Sequence, residues 1–543
     1  MIKKHFSRRY FFYGSLLAGA VPSGGFGSAP SVPAVSHKPF TEKLNIAAIG
    51  VGLRGNQILQ GAAVTENIVA LCDVDDDRLA RASLTYPKAA KYKDFRQMLD
   101  KGGKDIDAVL VAVPDHLHTS ISLLCMQHGK HVYCEKPLTR TVSEARLLAD
   151  AADKYKVATQ MGNQGFSHEG TKTACEIVWS GEIGEVREVH AWTGAVTGGQ
   201  LDIPEAGLPG QPVPATLDWD LWLGPAADRP YHPMITRSWR PMHDFSLGGS
   251  MGDWLVHIMG PAHLALQLGS VSPISVECVS KEPLNRWLWP WRAHTVFEFP
   301  ARAGMPPVTV HLYQNMRGDF KNPPGMAEDD PLLPRGNNLA ERGRPFLDGG
   351  DGVMAVGDQV TVDGKRATGR GGMPGGGPPG GARGGAPGFG PAGGARGGAP
   401  GVGMPGTGRG GRASQQPVDP ALRAPGNGTV FVGSKGCLAT SGRGEGVWLL
   451  PAARWTDYKL PPQMIPRGVN HQQDWIRACK GGDPGVSQFA VASKYLEWLA
   501  LGTVAQEVPG KLLWDAKTMR FSNNGEANKY LTPFVRKGWE MKL

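Results

Sequence analysis

The sequence has no C-x-x-C pair. Its seven cysteines, Cys72, Cys125, Cys134, Cys175, Cys278, Cys437 and Cys479, are scattered along the chain. That scatter argues against a zinc site and against a disulfide framework, and leaves buried thiols. No cluster of His, Asp or Cys has ligand spacing, so no metal site is expected. An apolar run long enough for a membrane anchor is missing near the start, where Gly14, Gly19 and Pro22 interrupt a stretch far short of the roughly 20 residues that span a bilayer. Acids are absent from two stretches that carry cations: residues 1–34 hold Lys3, Lys4, Arg8 and Arg9, and residues 369–414 hold Arg370, Arg383, Arg396, Arg409 and Arg412. Without those nine cations the formal charge of +9 falls to about zero, which removes nucleic acid as a partner. Large apolar side chains are scarce over residues 369–426, where GGARGGAPG occurs at 380–388 and again at 393–401. Such a segment cannot offset the entropy of ordering its backbone and reads as a disordered insertion between strands. Glycine keeps no strict period of three there, so collagen is excluded.

What is present in 543 residues, 41% of them apolar, is enough for two or more domains. The start, MIKKHFSRRYFFYGSLLAGAVPSGGFGSAPSVPAVS, has the basic and then modestly apolar layout of an export signal. Its SRRYFF resembles the twin-arginine signal, whose machinery passes folded proteins, and Val32 and Ala34 offer a cleavage site. Export to the periplasm is the localisation expected, and the export machinery is an expected partner. Folding in the reducing cytoplasm before transport fits the unpaired cysteines.

From Leu44 strands alternate with helices. LNIAAIG, NIVALCDV, IDAVLVAVP, HVYCEKP and VATQMGN read as strands; GNQILQGAAV, DDRLARASLTY, HTSISLLCMQHG and SEARLLADAADKYK read as helices. This alternation predicts an α/β fold with a doubly wound parallel sheet over residues 41–165. Beyond residue 166 short strands rich in Val, Thr and aromatics predict a second, α+β domain with a mostly antiparallel open sheet. That domain is expected over 166–368 and 427–543, on either side of the insertion. Two helical segments, DWLVHIMGPAHLALQLG and NHQQDWIRACKGG, and a long amphipathic helix, FAVASKYLEWLALGTVAQEV, are expected within it.

The first strand runs into Gly50, Gly52 and Gly55, spaced G-x-G-x-x-G, and then into a helix. In that context Gly50 permits the turn, Gly52 lets the backbone approach a pyrophosphate, and Gly55 lets helix and strand pack closely. Amides at the helix start then face the phosphates, which adds Leu53 and Arg54 to the expected contacts. Asp73 ends the next strand, 23 residues after Gly50. A carboxylate there accepts from ribose hydroxyls and repels a 2′-phosphate, so the expected cofactor is NAD rather than NADP.

VAVPDHLHTS at 111–120 and CEKPLT at 134–139 each lie at the carboxyl end of a predicted strand. With the glycine loop these resemble the Gfo/Idh/MocA oxidoreductase family, whose specific mark is the tripeptide Glu135-Lys136-Pro137. The resemblance implies a Rossmann domain, a lysine, Lys136, reaching nicotinamide and substrate, and further cofactor contacts from Pro114, His116, Glu135 and Asn163. The family's second mark, Asp-x-x-x-His, falls on Asp253 and His257, four residues apart and so on one face of a helix. A secondary alcohol losing hydride must also lose its hydroxyl proton. His257 is expected to take it, Asp253 to steady the imidazolium, and Lys136 to stabilise charge on the oxygen. The family commonly pairs subunits through its open sheet, so a homo-oligomer is expected.

Trp219, Trp222, Trp239, Trp254, Trp287, Trp289 and Trp291 crowd the middle of the chain, and flat indoles can stack on a pyranose. The sequence thus points to an NAD-dependent oxidoreductase acting on a sugar, polyol or glycoside. Two rivals stand beside that reading: an NAD-dependent glycosidase working by transient oxidation and elimination, and a non-catalytic protein that keeps NAD as structure.

Overall fold

The computed structural model describes residues 37–194, 201–282, 285–316, 322–328, 330–334, 336–341, 353–356, 359–362, 426–468 and 470–543. The expected export signal at 1–34 and all but the last residue of the glycine-rich insertion lie outside the described residues.

The first domain is built on β1 (Asn45–Ile49), α1 (Leu53–Ala63), β2 (Asn67–Cys72), α2 (Asp76–Thr85), β3 (Ala90–Tyr92), α3 (Phe95–Gly102), β4 (Ala108–Val111), α4 (Asp115–Gln127), β5 (His131–Glu135), α5 (Val142–Tyr155) and β6 (Thr159–Gly162). All pairings are parallel, in the order β3-β2-β1-β4-β5-β6. β4 is apolar throughout, and β1 after Asn45, because both faces of the sheet centre are covered. Ala47, Ile49, Val109 and Val111 feed one core, and the alternate residues Ile46, Ala48, Ala108 and Leu110 feed the other. Because the strands run in one direction, the residues that follow β1, β2, β4, β5 and β6 emerge along one edge of the sheet.

After α6 (Glu169–Trp179) and β7 (Val186–Thr193) come α7 (Trp219–Leu223), α8 (Pro233–Arg237), a π-helical turn over Met251–Leu255, α9 (Val256–Ile258), α10 (Gly260–Ala265), β8 (Ser275–Lys281), β9 (Ala293–Phe299) and β10 (Val308–Gln314). β11 (Val353–Val356) and β12 (Gln359–Val362) pair with each other, and β13 (Gly428–Gly433), β14 (Cys437–Ser441) and β15 (Val447–Leu450) follow. The chain ends with α11 (His471–Cys479), α12 (Phe489–Glu507), β16 (Leu512–Asp515) and β17 (Arg520–Phe521). Among the described residues nine strands form one sheet, β15-β14-β13-β7-β10-β9-β8-β16-β17, in which only β7 and β10 pair in parallel.

Three features depart from the sequence reading. The helix expected from Asp253 onward is broken, because Pro261 has no N–H for the carbonyl one turn back and the first turn is π-helical. α12 is not amphipathic: Tyr495, Leu496, Trp498, Leu499, Leu501 and Val504 are all buried, and it lies against α5, where Arg146 pairs with Glu497 at 2.7 Å. Finally, α11 returns to the first domain, where Trp475, Ile476 and Cys479 pack with Ile46, Ile58 and Leu59.

Candidate active site

The glycine loop has the shape its spacing predicts. Gly50 has φ +81°, and a Cβ on it would lie 2.2 Å from the Ala112 carbonyl oxygen. A Cβ on Gly55 would lie 1.9 Å from the Gly50 carbonyl oxygen, so helix and strand are as close as their backbones allow. At Gly52 the nearest atoms belong to the Arg78 side chain, at 3.1 Å, and no backbone closes the space. Asp73 anchors the loop: its Oδ2 accepts from the Val51 amide at 2.9 Å and its Oδ1 from the Asp75 amide at 3.1 Å. Burial raises its pKa, and these two amide bonds and Arg78 oppose the rise. A cradle open only at Gly52, with an acid beside it, fits a dinucleotide.

From this loop a cleft of about 380 Å³ runs between the domains to α8 and the π-helical turn. That lies within the roughly 300–1,000 Å³ of a ligand pocket. Lys136 enters it from the end of β5, through a cis peptide to Pro137 whose carbonyl oxygen is 2.7 Å from His118 Nδ1. Lys136 Nζ donates to the Asp253 carboxylate at 2.8 Å and to the Asp253 carbonyl at 2.7 Å. Arg240 Nε meets the same carboxylate oxygen at 3.2 Å.

The orientation of His257 follows from hydrogen bonding alone. Asn163 Nδ2 donates to the Val256 carbonyl at 2.8 Å, so its Oδ1 is the atom 2.7 Å from His257 Nδ1. An amide oxygen only accepts, so Nδ1 carries the proton and Nε2 keeps its lone pair. The ring borders the cleft. Burial, then the charges of Lys136 and Arg443, holds its pKa well below 6.5, so it is neutral at neutral pH and able to accept a proton. Asp115 lies in the same cleft with its carboxyl pushed up to about 7, chiefly by burial, which outweighs Arg240 and Lys136.

Lys136, Asp253 and His257 therefore border one cleft with Gly50, Gly52, Leu53, Arg54, Gly55, Asp73, Pro114 and Glu135. Within it their partnerships differ from expectation. Asp253 bonds Lys136 and Arg240, while the bond that orients His257 comes from Asn163, and Asp253 lies in the π-helical turn rather than on the α-helix that holds His257. Asn163 is fully buried behind His257 and is not among the residues that border the cleft. His116 does not border it either. α4 starts at Asp115, earlier than the sequence indicated, and the His116 ring packs against Trp222 and Phe245 with Nε2 2.9 Å from the Trp222 carbonyl oxygen. Glu135 is paired with Arg54 at 3.1 Å. Of the tryptophans, Trp222, Trp239 and Trp254 border the cleft. Asp115, Arg240 and Arg443 were not singled out beforehand; only the position of Asp115 just beyond a strand end could have drawn attention to it.

Residues 44–163 match the family model "Oxidoreductase family, NAD-binding Rossmann fold", and residues 190–297 match "Oxidoreductase family, C-terminal alpha/beta domain". An inositol 2-dehydrogenase of Salmonella typhimurium is 29% identical over 152 residues, 27% of this chain and 45% of that protein. A glycosyl hydrolase family 109 protein of Saccharopolyspora erythraea is 32% identical over 209 residues, 33% of this chain and 44% of that protein. The chain thus spans less than half the length of these curated relatives. The crystal structure of an inositol dehydrogenase homolog from Azotobacter vinelandii, complexed with NADH and myo-inositol, aligns over 87% of this chain and 98% of its own with 14% identity and a TM-score of 0.48, a likeness that carries no argument. Both family matches fall in chain order on the two domains described above, and the chain carries the NAD-binding and the C-terminal domain of the Gfo/Idh/MocA oxidoreductase family.

Proposed function

We propose that the protein is an NAD-dependent oxidoreductase that removes hydride from a secondary hydroxyl of a sugar, polyol or glycoside. One observation carries this reading: Lys136 from the first domain and His257 from the second border the same cleft as the glycine loop. The amides that open α1 and the Asp73 carboxylate would hold the pyrophosphate and ribose. The acid favours NAD over its 2′-phosphorylated form. The nicotinamide, when bound, supplies the hydride acceptor. His257 Nε2 takes the hydroxyl proton, with Nδ1 held by Asn163. Lys136, kept in place by Asp253, donates to the oxygen as it becomes a carbonyl. Trp239 and Trp254 offer flat faces to the sugar ring. The experiment is to follow reduced-nicotinamide absorbance while a panel of sugars, polyols and glycosides is added. A substrate-dependent rise supports the reading, and a protein that binds no dinucleotide ends it.

A second reading has its own observation, the similarity over 209 residues to a protein named as a glycosyl hydrolase. In it the same proton and hydride transfers are transient: oxidation of a ring hydroxyl acidifies the neighbouring C–H, the leaving group is eliminated, water adds to the double bond, and the hydride returns. Release of nitrophenol from a nitrophenyl glycoside without net reduced nicotinamide separates it from a dehydrogenase. We also assign the chain to the periplasm on the strength of Arg8 and Arg9 in SRRYFF. Replacing both arginines by lysine should keep the protein in the cytoplasm; unchanged export contradicts the assignment. Pairing of copies through the open sheet belongs to the same proposal, and the mass in solution tests it.

A further inference from the structure

Residues far apart in the chain meet across neighbouring strands, where spacing along the sequence does not register them. In the nine-stranded sheet successive residues of β7 face opposite sides. Val189 and Ala191 join the main core, and Glu188, His190 and Trp192 project from the other face. The parallel register of β7 and β10 sets His190 beside His311, and the antiparallel register of β10 and β9 brings His294 next to them, opposite Tyr313. None of these residues borders the cleft of the glycine loop.

The Glu188 carboxylate oxygen Oε1 is 2.9 Å from His190 Nε2 and 3.5 Å from His311 Nε2, and one ligand atom from each of the three residues lies within 4.8 Å of the other two. Zinc bonds of roughly 2.0–2.1 Å arranged tetrahedrally put neighbouring ligand atoms about 3.3–3.4 Å apart, a spacing those contacts bracket. The remaining ring nitrogens have partners of the kind that fix a ligating imidazole. His190 Nδ1 lies 3.0 Å from Tyr313 Oη, and His311 Nδ1 lies 3.1 Å from His294 Nε2. An ion would displace the N–H that Nε2 directs at the carboxylate; with Nδ1 then carrying the proton in both rings, each Nε2 offers its lone pair to the ion. The two rings are nearly parallel, 10° apart with centroids separated by 4.6 Å, so an ion requires each to turn about its Cβ–Cγ bond. Side-chain exposures of 46% at Glu188 and 19% at His311 leave room for the His311 ring to turn and for a water, while His190, 7% exposed, has less freedom.

We propose that Glu188, His190 and His311 bind one divalent ion of the zinc class, through one carboxylate oxygen and two Nε2 atoms, with a fourth position open to solvent. Two imidazoles and a carboxylate suit zinc or cobalt rather than magnesium or calcium. The ion would tie β7 to β10, the sheet's parallel pair. The test uses full-length, untagged protein treated with chelator and then titrated with Zn²⁺ by calorimetry and with Co²⁺ by visible absorption. Expected are one ion per chain and a four-coordinate cobalt spectrum. Affinity should fall at least about 100-fold in both His311→Ala and Glu188→Gln, beyond the roughly 10–100-fold lost with an outer partner, which is the range expected for Tyr313→Phe. Both ligand variants alter partly exposed side chains, and their metal-free thermal unfolding checks that they fold. No stoichiometric ion in the wild type, or affinity that survives in either variant, overturns the site.

Discussion

Replacing Asn163 tests the tautomer assigned to His257. Asn163 is fully buried and its side chain makes two bonds, one to the Val256 carbonyl and one to His257 Nδ1. In Asn163→Ala the Val256 carbonyl keeps the Tyr495 hydroxyl at 2.8 Å, but the imidazole N–H is stranded, at a cost of about 1–3 kcal/mol. The ring avoids that cost by moving its proton to Nε2, and it is then no longer a base toward the cleft. Loss of a general base lowers the rate about 10²–10⁴-fold, or roughly 2.7–5.5 kcal/mol at 1.36 kcal/mol per decade. In Asn163→Asp an anionic carboxylate would accept from Nδ1 and favour the imidazolium, so the acid limb of the pH–rate profile should move to higher pH. The assay is kcat/KM for hydride transfer across pH, on variants shown to be folded by thermal unfolding. A folded Asn163→Ala that keeps kcat/KM to within a few-fold, with an unchanged profile, refutes the reasoning.

Lys136→Met should lower kcat/KM about 10²–10³-fold, the scale for losing one donor to a developing oxyanion, whereas Asp253→Asn should lose less because Lys136 keeps the Asp253 carbonyl at 2.7 Å; steady-state kinetics on one substrate compares them. Gly55→Ala places a Cβ 1.9 Å from a carbonyl oxygen and should destabilise the first domain by at least the roughly 1–3 kcal/mol of overpacking, read from denaturant unfolding. Asp115, at about 7 when folded and 3.8 by its ordinary value, binds more protons in the folded state between those pH values. Its contribution to stability is therefore present below pH about 4 and lost as pH rises through about 7. Asp115→Asn should remove that downward slope from a comparison of unfolding free energies across this range; identical slopes in the two proteins contradict the assignment.

The first domain was legible because its signals are local. Buried parallel strands are continuous apolar runs, and the glycine loop needs particular residues at fixed spacing. β3 and α3 escaped notice because AKY and FRQMLDKG carry few apolar residues, and α3 buries only Phe95, Met98 and Leu99. α6 was missed for the opposite reason: Lys172, Thr173 and Glu176 are polar yet buried, Glu176 being paired with Arg467 at 2.6 Å far along the chain. In the site, the spacing of Asp253 and His257 indicated a shared helix face, but it held no sign of the π-helical turn or of Asn163 reaching across from β6. The Glu188–His190–His311 cluster depends on strand register, which alternation alone does not fix.

Tryptophan fluorescence during titration with reduced NAD tests the central claim most directly, because Trp222, Trp239 and Trp254 border the cleft. The account predicts saturable quenching at one dinucleotide per chain. Quenching should be abolished by Gly52→Val, whose Cβ meets only the Arg78 side chain at 3.1 Å and so leaves the free fold intact while closing the cradle. No quenching in the wild type, or quenching that persists unchanged in folded Gly52→Val, contradicts it.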